Sequence, residues 1–205
     1  MSSIWLGLIV EGHGDGFAAP SLIYRLAAQS HPEAEIIFSP PIRKRRNQVV
    51  RPGELERAVQ LGASTLRGPG GLLVLLDADE DCPAELGPGL LQRAQVCAPH
   101  IPIEVVIAKV MYENWFLAAA ESLRGRCGLP DDLRSPESPE SVRGAKGWLQ
   151  RHMPPDRAYS ETTDQKRLTA SLDLNQAASR SPSFAKLVRA VDSLVAAASS
   201  LGAQG

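Results

Sequence analysis

The 205 residues suffice for one α/β domain with a small appendage and are too few for two large domains. With 43% hydrophobic and 22% charged residues the chain can bury a core, which excludes the disordered and fibrous classes. Its 22 Lys and Arg against 23 Asp and Glu leave a net charge of -1, so any contact with nucleic acid has to be local.

The first segment, Ile4 to Val10, is a near-continuous apolar run, as expected of a strand covered on both faces of a parallel sheet. A signal peptide is not expected, since the run lacks a basic leader and ends in the acidic, glycine-rich turn Glu11 to Gly16, so a cytoplasmic protein is expected. Phe17, Leu22, Ile23 and Leu26 then follow helical spacing. Glu35 to Ser39 reads as a second strand, closed by Pro40-Pro41 and the basic run Arg43-Lys44-Arg45-Arg46. After the start signal Pro52-Gly53, Leu55, Val59, Gly62 and Leu66 mark another helix. Glycine and proline at 68–71 precede a buried strand, Leu72 to Leu76, which stops at Asp77-Ala78-Asp79-Glu80-Asp81. A helix around Leu86 to Val96 leads to a fourth strand, Ile103 to Ala108, and a further helix is expected over Trp115 to Leu123.

This alternation predicts an α/β fold, Rossmann-like, with a mainly parallel sheet of about four strands flanked by helices. Residues 1–123 would form the α/β core. Residues 124–205 would form a linker and a helical C-terminal extension packed on it, with the Pro/Ser/Glu stretch Asp131 to Ser141 as exposed linker. Phe184, Leu187, Val188, Val191, Leu194 and Val195 predict an amphipathic last helix that caps the sheet. The longest apolar runs fall far short of the roughly 20 residues a membrane span requires. Cys82, Cys97 and Cys127 are odd in number and contain no CxxC pair, which argues against a disulfide framework and a structural zinc site.

Ligands of parallel sheets sit beyond the carboxyl ends of the strands, and three of the four strands end at or shortly before acidic residues. In extended chain, residues i and i+2 project to the same side, so Asp77 and Asp79 can converge on one hard cation. The same residues suit an Asp-rich turn that caps the next helix, with Asp81 as cap. Glu11 would lie beside Asp77 if the first and third strands are neighbours. Glu113 fits either the acidic set or an ordinary first-turn position of a helix. The glycines at 12, 14 and 16 lack the register of a phosphate-binding loop and serve a tight turn. Arg43, Lys44, Arg45 and Arg46 form the one concentrated basic patch, suited to a nucleic-acid backbone or to a solvated loop; no aromatics interleave with it in sequence.

A lone Glu at strand one followed by Asp-x-Asp 66 residues later, in Val10-Glu11-Gly12-His13-Gly14-Asp15 and Leu75-Leu76-Asp77-Ala78-Asp79, resembles the Toprim domain, most closely that of overcoming-lysogenization-defect nucleases. Over nearly the whole chain, these motifs together with Tyr112 to Ala118, Tyr159, Asp164-Gln165-Lys166 and Ser183-Phe184 resemble a bacterial family of unknown function, DUF4276, with a Toprim-like core. Its members are often encoded near AAA-type ATPases. The resemblance implies a metal-dependent nuclease or phosphodiesterase acting on nucleic acid, in phage defence with an ATPase partner. It implies Mg²⁺ or Mn²⁺ on Glu11, Asp77 and Asp79, with Asp15 and Glu113 holding or completing a second ion. Catalysis would rest on Glu11, Asp77 and Asp79, with Lys166 neutralising the scissile phosphate. Two other readings stay open: a non-catalytic scaffold of an ATPase system and a small-molecule phosphohydrolase.

Overall fold

The computed structural model describes residues 3–202. In chain order the elements are β1 (Ser3–Val10), α1 (His13–Ser30), β2 (Glu35–Phe38), β3 (Ile42–Arg43), α2 (Arg46–Val49), α3 (Glu54–Thr65), β4 (Gly70–Asp77), α4 (Pro83–Cys97) and β5 (Ile103–Ala108). They are followed by α5 (Asn114–Ala118), α6 (Ala145–His152), α7 (Asp164–Ser171), α8 (Leu174–Arg180) and α9 (Pro182–Gly202), with single 3-10 turns between α5 and α6.

All pairings in the five-stranded sheet are parallel, in the order β2-β1-β4-β5. Four strands were expected; the fifth is β3, a two-residue continuation on the β2 side of β1, pairing Ile9 with Ile42 and Val10 with Arg43. Proline cannot donate to a ladder, so Pro40-Pro41 divides one edge strand into two. The apolar runs have no polar alternation because both faces are covered. On β4, Leu73 and Leu75 enter one core while Leu72, Val74 and Leu76 enter the other. The first core is closed by α1, α5, α7 and α9, the second by α3 and α4.

The amphipathic last helix packs on β4, β5 and α1, as its spacing requires. Two local expectations are revised. The helix over Trp115 to Leu123 breaks at Ala119 (φ -121°, ψ 36°), giving α5 and a separate 3-10 turn, Ala120–Leu123. The stretch 131–141 is exposed over much of its length but is anchored to the core. Leu133 and Pro139 are buried, Asn114 Nδ2 donates to the Pro139 and Val142 carbonyls, and Ser135 Oγ donates to the Glu121 carboxylate and to the Ala118 carbonyl. Where this segment is buried its polar groups need such partners, and these side chains supply them. No helix among the described residues is long and apolar enough to cross a membrane.

Candidate active site

Because β1 and β4 are adjacent, the residues at their carboxyl ends meet. Glu11 follows β1 directly, and Asp77 is the last residue of β4. Asp15 comes from the first turn of α1; its Oδ2 accepts the Gly12 N–H at 2.8 Å, closing the turn, and its Oδ1 accepts Gln165 Nε2 of α7 at 2.7 Å. Glu113 stands at the start of α5, beyond β5, and is 2% exposed. Asp77 Oδ1 accepts the Tyr112 N–H at 2.9 Å, which ties the tip of β4 to the segment carrying Glu113.

Three of these carboxylates, Glu11, Asp77 and Glu113, are perturbed. Burial first, then repulsion from Asp15, Glu113 and Glu11, raises the Asp77 pKa well above the ordinary range. Burial also raises Glu11, with Asp79 and Asp15 adding to it against backbone groups of Arg46 and Asp77, and the buried Glu11 Oε2 has no hydrogen-bond partner. Glu113 is pushed up to about 7 by burial, against the pull of Lys146 and the Tyr159 hydroxyl. That hydroxyl donates to Glu113 Oε1 at 3.0 Å, and Lys146 Nζ lies 3.9 Å from the same oxygen and 2.7 Å from Glu161. Burial works to lower the Lys146 pKa, but Glu113 and Glu161 outweigh it and raise it. Beside this group opens a cleft of about 760 Å³ lined by His13, Lys146, Gln150, Tyr159 and Glu161 among others.

Asp79 is placed differently. β4 ends at Asp77, so the extended geometry that would aim both aspartates the same way stops short of Asp79, which adopts φ 50°. Its side chain is more than half exposed, with Oδ2 3.7 Å from Arg46 Nη1, and Arg46 also pairs with Asp81. The Asp79 N–H donates to the carbonyl of Val110, itself at φ 61°. A β-branched residue there is costly, so Val110, hydrogen-bonded to Asp79, puts backbone strain at the sheet's carboxyl edge, where functional sites concentrate it.

Lys166 lies on the exposed side of α7, whereas Asp164, Gln165, Leu168 and Thr169 of that helix are buried. The lysine brought to the carboxylates is Lys146. Of the basic run, Lys44 pairs with Glu54 and Arg46 with Asp79 and Asp81, while Arg43 and Arg45 are exposed and make no ion pair among the described residues. Sequence reasoning passed over Lys146, which carries no motif of its own, and Arg46's role as an internal counter-charge.

Among the described residues no three His, Cys, Asp or Glu side chains are gathered so that they could hold a metal ion. The donors nevertheless suit a hard cation in kind: all are carboxylates, and one buried oxygen is unpartnered. Mg²⁺ commonly keeps several waters and takes only one or two carboxylates, its shell being completed by substrate phosphate. Such donors would suit a hydrated ion rather than a closed structural cage.

No curated protein matches the chain, and no solved structure does. A family model matches residues 10–192, which takes in every site residue named above. The chain belongs to the family described as a domain of unknown function, DUF4276.

Proposed function

We propose that this protein is a metal-dependent phosphodiester hydrolase of Toprim type, a nuclease, working with a partner such as an AAA-type ATPase. The observation that carries the reading is the convergence of Glu11, Asp15, Asp77 and Glu113 at the carboxyl edge of a parallel sheet, each from a different element, with pKa values raised for three of them. Carboxylates held together against their own repulsion are a poor stability device and a good cation trap. Glu11 and Asp77 would hold Mg²⁺ or Mn²⁺, with Asp15 and Asp79 in support. Bound there, the ion would neutralise a phosphodiester and lower the pKa of an attacking water.

The remaining chemistry falls to the chain's own groups. Lys146 offers a positive charge beside the cleft for a non-bridging phosphate oxygen. Glu113, with a pKa near neutrality, is suited to holding and returning a proton at a leaving oxygen, and the Tyr159 hydroxyl orients it. The order of Glu11 and the Asp77-x-Asp79 pair, which resembles that of Toprim nucleases, supports the same assignment.

Calorimetric titration with Mn²⁺ tests it. Wild type is expected to bind Mn²⁺ below millimolar concentration and to gain melting temperature from it, while Glu11→Gln and Asp77→Asn lose both responses. Absence of Mn²⁺ binding in wild type would overturn the metal reading. It would favour a second one, a non-catalytic partner of an ATPase, which the pairing of Asp79 with Arg46 and the lack of a gathered ligand triad among the described residues favour.

A further inference from the structure

Phe17 and Tyr24 are the only exposed aromatic side chains among the described residues, at 56% and 55% exposure. Seven residues apart on α1, they fall on one face of the helix, roughly 10 Å apart along its axis. Phe17 lies in the second turn of α1, at the end of the helix that carries Asp15 but on the opposite, exposed face, so the stripe runs along the outer side of the helix from the end nearest the crevice. The fold also carries the basic loop to the start of the stripe: a Cβ built on Gly16 would lie 4.0 Å from Arg43 Cδ. Arg43 is one of the two cations of that loop left without an ion pair; Arg45 is the other. The aromatics absent from the basic run in sequence are therefore supplied by α1 in space.

We propose that Phe17, Tyr24, Arg43 and Arg45 form a track for single-stranded nucleic acid along the outer face of α1 to the basic loop, where Arg43 pairs with Val10 beside the acidic crevice. Stacking on aromatic faces needs unpaired bases, which a duplex does not offer, and two free arginines match a short stretch of backbone rather than the many phosphates of a duplex. The track deepens the phosphodiesterase reading by naming its substrate class, and rests on that reading only for what happens to the strand once it reaches the crevice.

A fluorescein-labelled oligodeoxythymidine titrated with the full chain in EDTA should bind more tightly than a duplex of equal length. Phe17→Ala and Tyr24→Ala should each weaken it roughly fivefold or more, and Phe17→Trp should keep it. Arg43→Gln and Arg45→Gln should each reduce the slope of log affinity against log salt by about 0.7. The aromatic side chains are exposed, so melting temperatures of these variants should match wild type and folding does not confuse the result. Equal affinity for duplex, or alanine variants that bind as wild type does, overturns the track and leaves the aromatic face to a protein partner. Hydrolysis of bis(p-nitrophenyl) phosphate by wild type with Mn²⁺, a substrate too small to need the track, tests the reaction separately. Strand binding without that hydrolysis removes the reaction and keeps the track; hydrolysis without strand binding does the reverse.

Discussion

Glu113 shows how one side chain's surroundings set its chemistry. Its folded pKa, about 7, stands above the ordinary 4.5 because burial outweighs Lys146 and Tyr159. Between those values the folded state binds more protons than the unfolded state, so Glu113 subtracts stability as pH rises through the window and subtracts most above 7. Glu113→Gln keeps an acceptor for the Tyr159 hydroxyl and cannot ionise. In EDTA it should match wild type near pH 4.5 and exceed it above pH 7 by no more than roughly 3 kcal/mol. Urea unfolding across that range checks this, and a gap that narrows as pH rises would contradict it. Lys146, Tyr159, Tyr112, Asp77 and Asp15 are titratable groups facing Glu113, and their contributions are contained in the same difference.

At the scale of elements, α7 closes on the acidic turn through Gly14. A Cβ there would lie 1.8 Å from Gln165 Oε1 and 2.7 Å from the Glu161 carbonyl oxygen. Gln165 could swing away only by giving up its bond to Asp15, and the Glu161 carbonyl is backbone. Gly14→Ala gains about 1 kcal/mol of helix propensity, but overpacking of this kind costs about 1–3 kcal/mol. A net loss of stability is expected, with faster hydrogen exchange in α7 than elsewhere; a stabilised variant would mean that the contact yields easily. The glycine was legible in sequence as part of a tight turn. The helix that requires it was not, because Gln165 stands 150 residues further along the chain.

Across the whole molecule, one continuous core joins residues from Ile4 to Ala198. Phe184, Leu187, Val191, Leu194 and Val195 of α9 are all buried on the sheet side. At roughly 1.5–3 kcal/mol each, they contribute on the order of 10 kcal/mol, comparable with the net stability of a typical domain. The full chain should therefore unfold in a single transition. A fragment ending at residue 123 should lack cooperative melting and expose the apolar face of β4 and β5, which circular dichroism and light scattering would report. Cooperative melting of the fragment would make residues 124–205 a separable unit.

The sequence by itself determined four of the five strands and where they end. β1 and β4 are near-continuous apolar runs, and β5 is broken only by Glu104, because both sides of the sheet are covered. That is enough to place Glu11, Asp77 and Glu113 at a common edge, given parallel pairing. Tertiary structure decided which charges meet. Asp79 turns to Arg46 through a left-handed backbone that its residue type does not dictate. Lys146 rather than Lys166 reaches Glu113, because α6 and α7 are oriented by the faces they bury. The segment 131–141 has the composition of a linker but is held by Asn114 and Glu121, partners in other elements. Burial patterns are local and repeat with the period of the element, so one chain displays them; pairings between distant side chains exist only after the elements have packed.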